Sequence, residues 1–181
     1  MKYNGIKEEE LKNKVVAEST AVIDGSRDTC RAVECAMGNL VAEAMLDRVK
    51  DQGVTIAIAN GGGLRASIDA GPVTMGEVLT VLPFQNTLST FEVDGATVVA
   101  ALENGVSQIE DGAGRFAQVA GLKYTFDPAQ PAGSRVSDVM VMNGADWAPI
   151  DPAATYKLVS NNYVRGGGDG FKMFMSAANA Y

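Results

Sequence analysis

Apolar and polar residues change their spacing several times along this 181-residue chain, and the changes mark out its elements. Residues 6–14 set Glu8, Glu9, Glu10, Lys12 and Lys14 around Leu11, which predicts a short, mostly solvated helix. Val15 to Ile23 is rich in β-branched residues and predicts a strand, and Asp24 to Asp28 is a turn cluster leading into Thr29–Cys35. From Gly38 to Gln52, Leu40, Val41, Ala44, Met45 and Val49 recur at helical spacing, with Glu43, Asp47, Arg48 and Lys50 largely opposite. Gly53 is placed to end that helix. Val54 to Ala59 (VTIAIA) is a short, continuous apolar run of the kind that forms a buried central strand.

Asn60-Gly61-Gly62-Gly63-Leu64-Arg65 comes next, and Ser67 to Pro72 reads as loop. Thr74 to Leu82 predicts a short helix in which Thr74 and Glu77 supply the two halves of a capping box. Pro83 to Asn86 breaks it, Thr87 to Val93 alternates as a strand, and Asp94-Gly95 turns into a helix bearing Val98, Val99, Leu102, Val106 and Ile109. Gly112 to Gly121 has no period, Leu122 to Phe126 predicts a strand, and Asp127 to Gly133 a surface loop. Val136 to Met142 predicts a strand before the turn Asn143-Gly144; Asp146 to Thr155 reads as loop. Tyr156 to Val159 reads as a buried strand, and Lys172 to Ala180 predicts a terminal helix. Roughly four helices and six strands in mixed order imply an α/β or α+β domain of layered helices and sheet.

One pattern occurs twice. A strand leads to asparagine and then to three glycines, at Asn60 with Gly61, Gly62 and Gly63, and at Asn162 with Gly166, Gly167 and Gly168. In the second copy Tyr163 and Arg165 precede the glycines and Asp169 follows them. An aromatic, a glycine run and one acid suit a pocket for a flat, hydroxylated ligand. A tight strand-to-helix connection with Asp169 capping the next helix accounts for the same residues. The first copy lies just beyond a strand end, where open α/β sheets place ligand sites. It matches neither a Walker loop nor G-x-G-x-x-G. Arg65 at its exit can hold a phosphate through a forked pair of hydrogen bonds; a glycine turn with a solvated arginine is the alternative. Phe84, in the break between a helix and a strand, is either satellite core or a ligand platform. Phe84 and Tyr163 together could sandwich a base, with Asp169 accepting from ribose hydroxyls.

Composition removes several classes of function. A formal charge of −7 disfavours wrapping nucleic acid, which needs a basic face. No apolar run approaches the roughly 18–20 residues that span a bilayer. MKYNGIKEEELKNK carries charge where a signal peptide needs an apolar stretch, so an export signal would lie outside this chain. The chain has no histidine, which excludes Ser-His-Asp and Cys-His nucleophile activation within it, and zinc sites that use histidine. Cys30 and Cys35 frame CRAVEC, a spacing that fits neither a redox pair nor a zinc ribbon. They are either a small-loop disulfide or two buried thiols. A bridge would contribute about 2 kcal/mol on chain-entropy grounds and would imply an oxidising compartment. It would also hold Arg31 in a fixed direction.

Five stretches carry a resemblance: DGSRDTCRAVECAMGNLVAEAM (24–45), ANGGGLRASID (59–69), VLPFQNTL (81–88), VAGLKYTFD (119–127) and NNYVRGGGDGFKMF (161–174). With them the chain resembles the C-terminal domain of 5′-nucleotidases, the family of ecto-5′-nucleotidase and bacterial UDP-sugar hydrolases. The resemblance implies a substrate-recognition domain, residues 15–181, preceded by a remnant of the interdomain linker helix in residues 1–14. It implies that Phe84 and Tyr163 stack on the base, that Asn60 contacts the base, and that Arg31 and Arg65 hold phosphate or neighbouring groups. Asp169 would bind the ribose hydroxyls, and Cys30–Cys35 would be a disulfide. At position 163 the animal ecto-enzymes carry phenylalanine where this chain has tyrosine.

The same resemblance places catalysis elsewhere. In the family, an N-terminal metallophosphoesterase domain holds two divalent metal ions and does the chemistry, and the C-terminal domain brings the nucleotide to it. This chain is then part of a longer hydrolase of nucleotide catabolism, periplasmic or extracellular. It is expected to be inactive alone, to hold no metal or cofactor itself, and to have nucleotide and its own N-terminal domain as partners. It is expected to bind no nucleic acid. A structural or docking domain with a vestigial pocket is the alternative. A third reading is a stand-alone carboxylate-metal enzyme built on Asp24, Asp28 or Asp169.

Overall fold

The computed structural model describes residues 2–181, with side chains from residue 7 onward. The order begins with α1 (Lys2–Lys12), β1 (Val15–Ser19), the single turn α2 (Arg27–Cys30) and α3 (Ala36–Arg48). It continues with β2 (Ile56–Asn60), β3 (Gly71–Thr74), α4 (Met75–Val81), β4 (Leu88–Asp94) and α5 (Gly95–Val106). The second half is rich in strand: β5 (Ala117–Ala120), β6 (Leu122–Phe126), β7 (Val136–Asn143), β8 (Asp146–Pro149) and β9 (Thr155–Asn161). A one-turn helix, α6 (Asn162–Arg165), follows directly on β9.

The central sheet runs β4-β9-β2-β5, with β2 and β9 parallel and both outer pairs antiparallel. Both faces of β2 are covered, which is why its sequence is apolar throughout rather than alternating. Ile56 and Ile58 point into one core with Phe91, Leu158, Val98 and Leu102, so α5 packs on that face. Ala57 and Ala59 point the other way, onto Ala42, Met45 and Val49 of α3 and its end. A third cluster gathers the two cysteines, Met37, Leu64, Ile68, Val73 and Val81 beside the two-stranded ribbon β1-β3. A separate antiparallel sheet, β6-β7-β8, completes the domain. Mixed layers of helix and sheet are the architecture that the element pattern implies.

Several elements follow local rules closely. The Thr74 hydroxyl accepts from the Glu77 N–H at 3.3 Å while the Glu77 carboxylate accepts from the Thr74 N–H at 2.8 Å, a complete capping box on α4. Hydrogen bonds from Thr74 hold the Glu77 carboxyl below its usual pKa. Asp94 caps α5 by accepting from the Thr97 N–H at 2.7 Å. The α-helix expected to run to Gln52 ends at Arg48; a 3-10 turn, Lys50–Gln52, follows it, and Gly53 closes that turn in the left-handed region at φ 73.

Other expectations are corrected. The face that α3 buries is Met37, Gly38, Ala42 and Met45; Leu40 and Ala44 are exposed. The helix begins at Ala36, earlier than the apolar recurrence from Gly38 suggests, because Cys35 caps it. Strands β3, β5 and β8 lie in stretches that read as loop or irregular. Each is four residues long, too short for its alternation to show. No terminal helix forms over 172–180. A single turn at Lys172–Phe174 inserts Phe174 against Phe91, ring centroids 4.9 Å apart. Beyond it, Ala178 exchanges hydrogen bonds with Glu92, and Tyr181 with Thr90. The free edge of β4 offers those backbone groups partners that a frayed helix end could not.

Candidate functional site

The parallel pairing of β2 with β9 sets the ends of both strands side by side, and both lead into glycines. At the first, Asn60 is buried. Gly61 to Gly63 then make one tight turn, whose first two amides donate to Phe116 O and Gly114 O, each at 2.8 Å. A Cβ on Gly61 would lie 2.1 Å from Cys30 O, so only glycine lets the turn pass beneath the disulfide loop. With those two amides committed inside the fold, the cations on this side are Arg65 and Arg31. The Arg65 guanidinium lies 5.7 Å from the Phe84 ring centroid.

Cys30 and Cys35 form a disulfide, which resolves the choice that their spacing left open. Inside its loop, Gln118 is buried. It accepts from the Cys35 N–H at 3.2 Å and donates to Cys30 O at 3.0 Å and Val33 O at 2.8 Å. One side chain thus satisfies the backbone of a turn that would otherwise bury polar groups. Arg31, inside this loop, donates to Gly112 O at 3.1 Å, while its Nε is buried without a partner. Burial first, and then the charges of Arg27 and Arg65, lower the Arg31 pKa; Asp169 opposes them. Arg27 and Arg65 thus lie close enough to Arg31 for their charges to oppose its own, and Asp169 offsets them.

The second glycine stretch makes a different turn. Asn161 caps α6 by accepting from the Val164 N–H at 2.8 Å, and its amide donates to Asn60 Oδ1 at 3.0 Å. Gly167 (φ 92) and Gly170 (φ 81) bracket Asp169, itself at φ 51. The Asp169 carboxylate is held from two sides, by Asn60 Nδ2 on Oδ2 at 2.7 Å and the Tyr163 hydroxyl on Oδ1 at 3.0 Å. Burial, then the bond to Asp169, raises the Tyr163 pKa, so its hydroxyl stays protonated to donate. Asp169 caps no following helix; it sits within a single irregular turn, and the capping duty belongs to Asn161.

These residues line one open cavity of about 460 Å³: Arg31, Asn60, Arg65, Phe84, Tyr163 and Asp169, with Gly62, Gly63, Asn86 and Gly114. All six side chains singled out for binding thus come together. Of the glycines singled out, Gly62 and Gly63 line it. Gly61 and Gly166 to Gly168 shape the turns behind it. Phe84 and Tyr163 are about half exposed, at 55% and 47%, and both line this cavity. Reading the sequence alone passes over Asn86 and Asn161, although both stand in the five stretches quoted above. It also misses Gln118 and Gly114, which lie where the sequence has no period and offers no signal. Asp24 accepts from the Ser26 N–H at 2.8 Å and the Ser67 hydroxyl at 3.3 Å, shaping the turn before α2. Among the described residues no group of three or more Asp, Glu, Cys or His side chains is placed to hold a metal ion.

The class that this fold and cavity fit is the C-terminal domain of nucleotidases, and sequence comparison agrees. The profile of the family described as 5′-nucleotidase, C-terminal domain, matches residues 15–176. The chain belongs to that family. It is 42% identical over 173 residues to the trifunctional nucleotide phosphoesterase protein YfkN of Bacillus subtilis (strain 168), covering 94% of this chain and 12% of that protein. It is 34% identical over 181 residues to a 5′-nucleotidase of Diplobatis ommata, covering 92% of this chain and 31% of the relative. The crystal structure of a 5′-nucleotidase precursor from Thermus thermophilus superposes with a TM-score of 0.94 at 45% identity, over 99% of this chain and 35% of that one. The chain thus spans about a third or less of each. Among the described residues no helix is long and apolar enough to cross a membrane.

Proposed function

We propose that this domain binds a nucleotide and presents it to a two-metal phosphoesterase domain of a longer hydrolase. The observation that carries the reading is the convergence of two half-exposed aromatics, a carboxylate and two arginines on one cavity. The base lies between Phe84 and Tyr163, where stacking is worth ~1–3 kcal/mol per base. Asn60, at the buried end of β2, contacts the base edge. Each Asp169 oxygen takes one hydrogen bond from the protein, which leaves lone pairs for the two ribose hydroxyls. Arg31 and Arg65 neutralise the phosphate end. Residues 1–14 serve as the end of a linker helix and 15–181 as the recognition unit. The Cys30–Cys35 bridge supports an oxidising location, periplasmic or extracellular.

The test is titration of this chain with AMP and adenosine, followed by amide chemical shifts or tyrosine fluorescence. Binding is expected to be weak, because the metal-bound end of the substrate has no partner here. Phe84→Ala and Tyr163→Ala should each lower affinity about tenfold, the lower part of the stacking range. No response at millimolar ligand, with both variants like the parent, would reject the pocket and favour a domain that only docks. Metal-dependent AMP hydrolysis by this chain alone would overturn the division of labour.

A further inference from the structure

Asp169 is held in a conformation that its own backbone disfavours. It is a non-glycine residue in the left-handed region, flanked by Gly167 at φ 92 and Gly170 at φ 81. Several contacts hold it there. The Tyr163 hydroxyl makes two of them: it donates to Asp169 Oδ1 at 3.0 Å and accepts from the Asp169 N–H at 3.3 Å. Asn60 grips the other carboxylate oxygen at 2.7 Å. Asn104 donates to Asp169 O at 3.0 Å, and Arg115 in turn donates to Asn104 Oδ1 at 3.1 Å. Gly168 completes the arrangement, since a Cβ there would lie 2.5 Å from the Tyr163 ring. The ring therefore lies flat on the turn that carries the carboxylate.

A phenyl ring would supply the same stacking face and the same contact with Gly168. The hydroxyl adds something else: it ties the aromatic platform to the acid and closes a ring with Asp169's own backbone. We propose that the Tyr163 hydroxyl is a specificity-determining, positioning group, which locks Asp169 so that the domain distinguishes ribose from deoxyribose. The inference rests on the nucleotide-binding reading and deepens it. The lock works by preorganisation. Both carboxylate oxygens are aimed before the ligand arrives, so two adjacent sugar hydroxyls meet fixed acceptors and little ordering cost remains. A ligand lacking one hydroxyl leaves one lone pair of the carboxylate it covers without a donor, which a rigid site cannot relieve by turning away.

The experiment compares adenosine, 2′-deoxyadenosine and 3′-deoxyadenosine on this chain by NMR titration. The parent should favour adenosine about tenfold over each deoxy form, the loss of one hydrogen bond to a charged group. Tyr163→Phe should narrow that ratio to about threefold or less while changing deoxynucleoside affinity less than about twofold, since the stacking face remains. A purely structural role would weaken all three ligands alike and leave the ratio intact, and that result overturns the proposal. Asp169→Asn gives an independent arm. It should abolish the ratio by itself, and adding Tyr163→Phe to it should have no further effect on the ratio. A ratio that survives Asp169→Asn sinks the inference whether or not Tyr163→Phe folds. Equal binding of all three ligands by the parent rejects the sugar lock and leaves base binding standing. No binding of any of them rejects the nucleotide-binding reading as well.

Discussion

The two glycine runs look alike in sequence and do opposite things. Gly61 to Gly63 follow β2 with no residue in the left-handed region, and the lack of a side chain matters at the first two because other backbone lies against them. Cys30 O would be 2.1 Å from a Cβ on Gly61, and Gly114 Cα 2.8 Å from one on Gly62. Gly166 to Gly170 follow β9 and are shaped mainly by handedness. Three consecutive changes of sign in φ run from Gly166 to Asp169 and fold the chain back on itself. The first run is a packing device and the second a steering device. Both bring a polar side chain to the cavity, Asn60 by burial and Asp169 by backbone twist.

That contrast can be broken by alanine scanning. The largest effect is expected at Gly61→Ala, where the offending atom is backbone and cannot rotate away. Overpacking of this kind costs about 1–3 kcal/mol, which for a domain of this size lowers the melting temperature by about 2–4 °C per kcal/mol. A melt within about one degree of the parent would show that the turn has slack. Next comes Gly167→Ala, with φ 92 but only the flexible Met175 side chain close to the new Cβ. Left-handed strain alone should cost about 1–2 kcal/mol, and because the loop carries Asp169 it should also weaken adenosine binding. Unchanged stability there would mean that the turn adapts and that steering is not its role. Gly166→Ala should be the mildest, under about 1 kcal/mol, since φ is −78 and the tight neighbour, Asn162 O at 3.1 Å, need give only slightly. A loss there as large as at Gly167 would erase the distinction.

How far the sequence could be read follows from the range over which each signal acts. The Thr74–Glu77 capping box, the turn at Asp94-Gly95 and the apolar run of β2 depend on neighbours within a few residues, and all were legible. The apolar spacing marks only part of the stripe that α3 buries. Helical spacing shows where apolar side chains recur, but Leu40 is left outside by the position of the sheet. The predicted terminal helix failed for a related reason: local propensity at 172–180 lost to the open edge of β4 and to the slot that Phe174 fills against Phe91. Gln118 carries no signal at all in its own stretch. Its role exists only because the disulfide loop, more than eighty positions earlier, lies against it.

By itself the sequence determined the class of domain, its mixed layered architecture and six side chains that the resemblance marks as candidates for binding. The residue types, their turns and the resemblance they carry are local or inherited facts. What only the tertiary structure decided is that these six meet. The Asn60–Asp169 hydrogen bond joins residues 109 positions apart, and it forms because β2 and β9 pair in parallel and end together. Likewise, whether Tyr163 is a bare stacking face or a donor to Asp169 depends on a left-handed backbone that glycine permits but does not dictate. Spacing along a chain encodes short-range bonds, whereas a shared cavity depends on sheet register and loop closure across the whole domain.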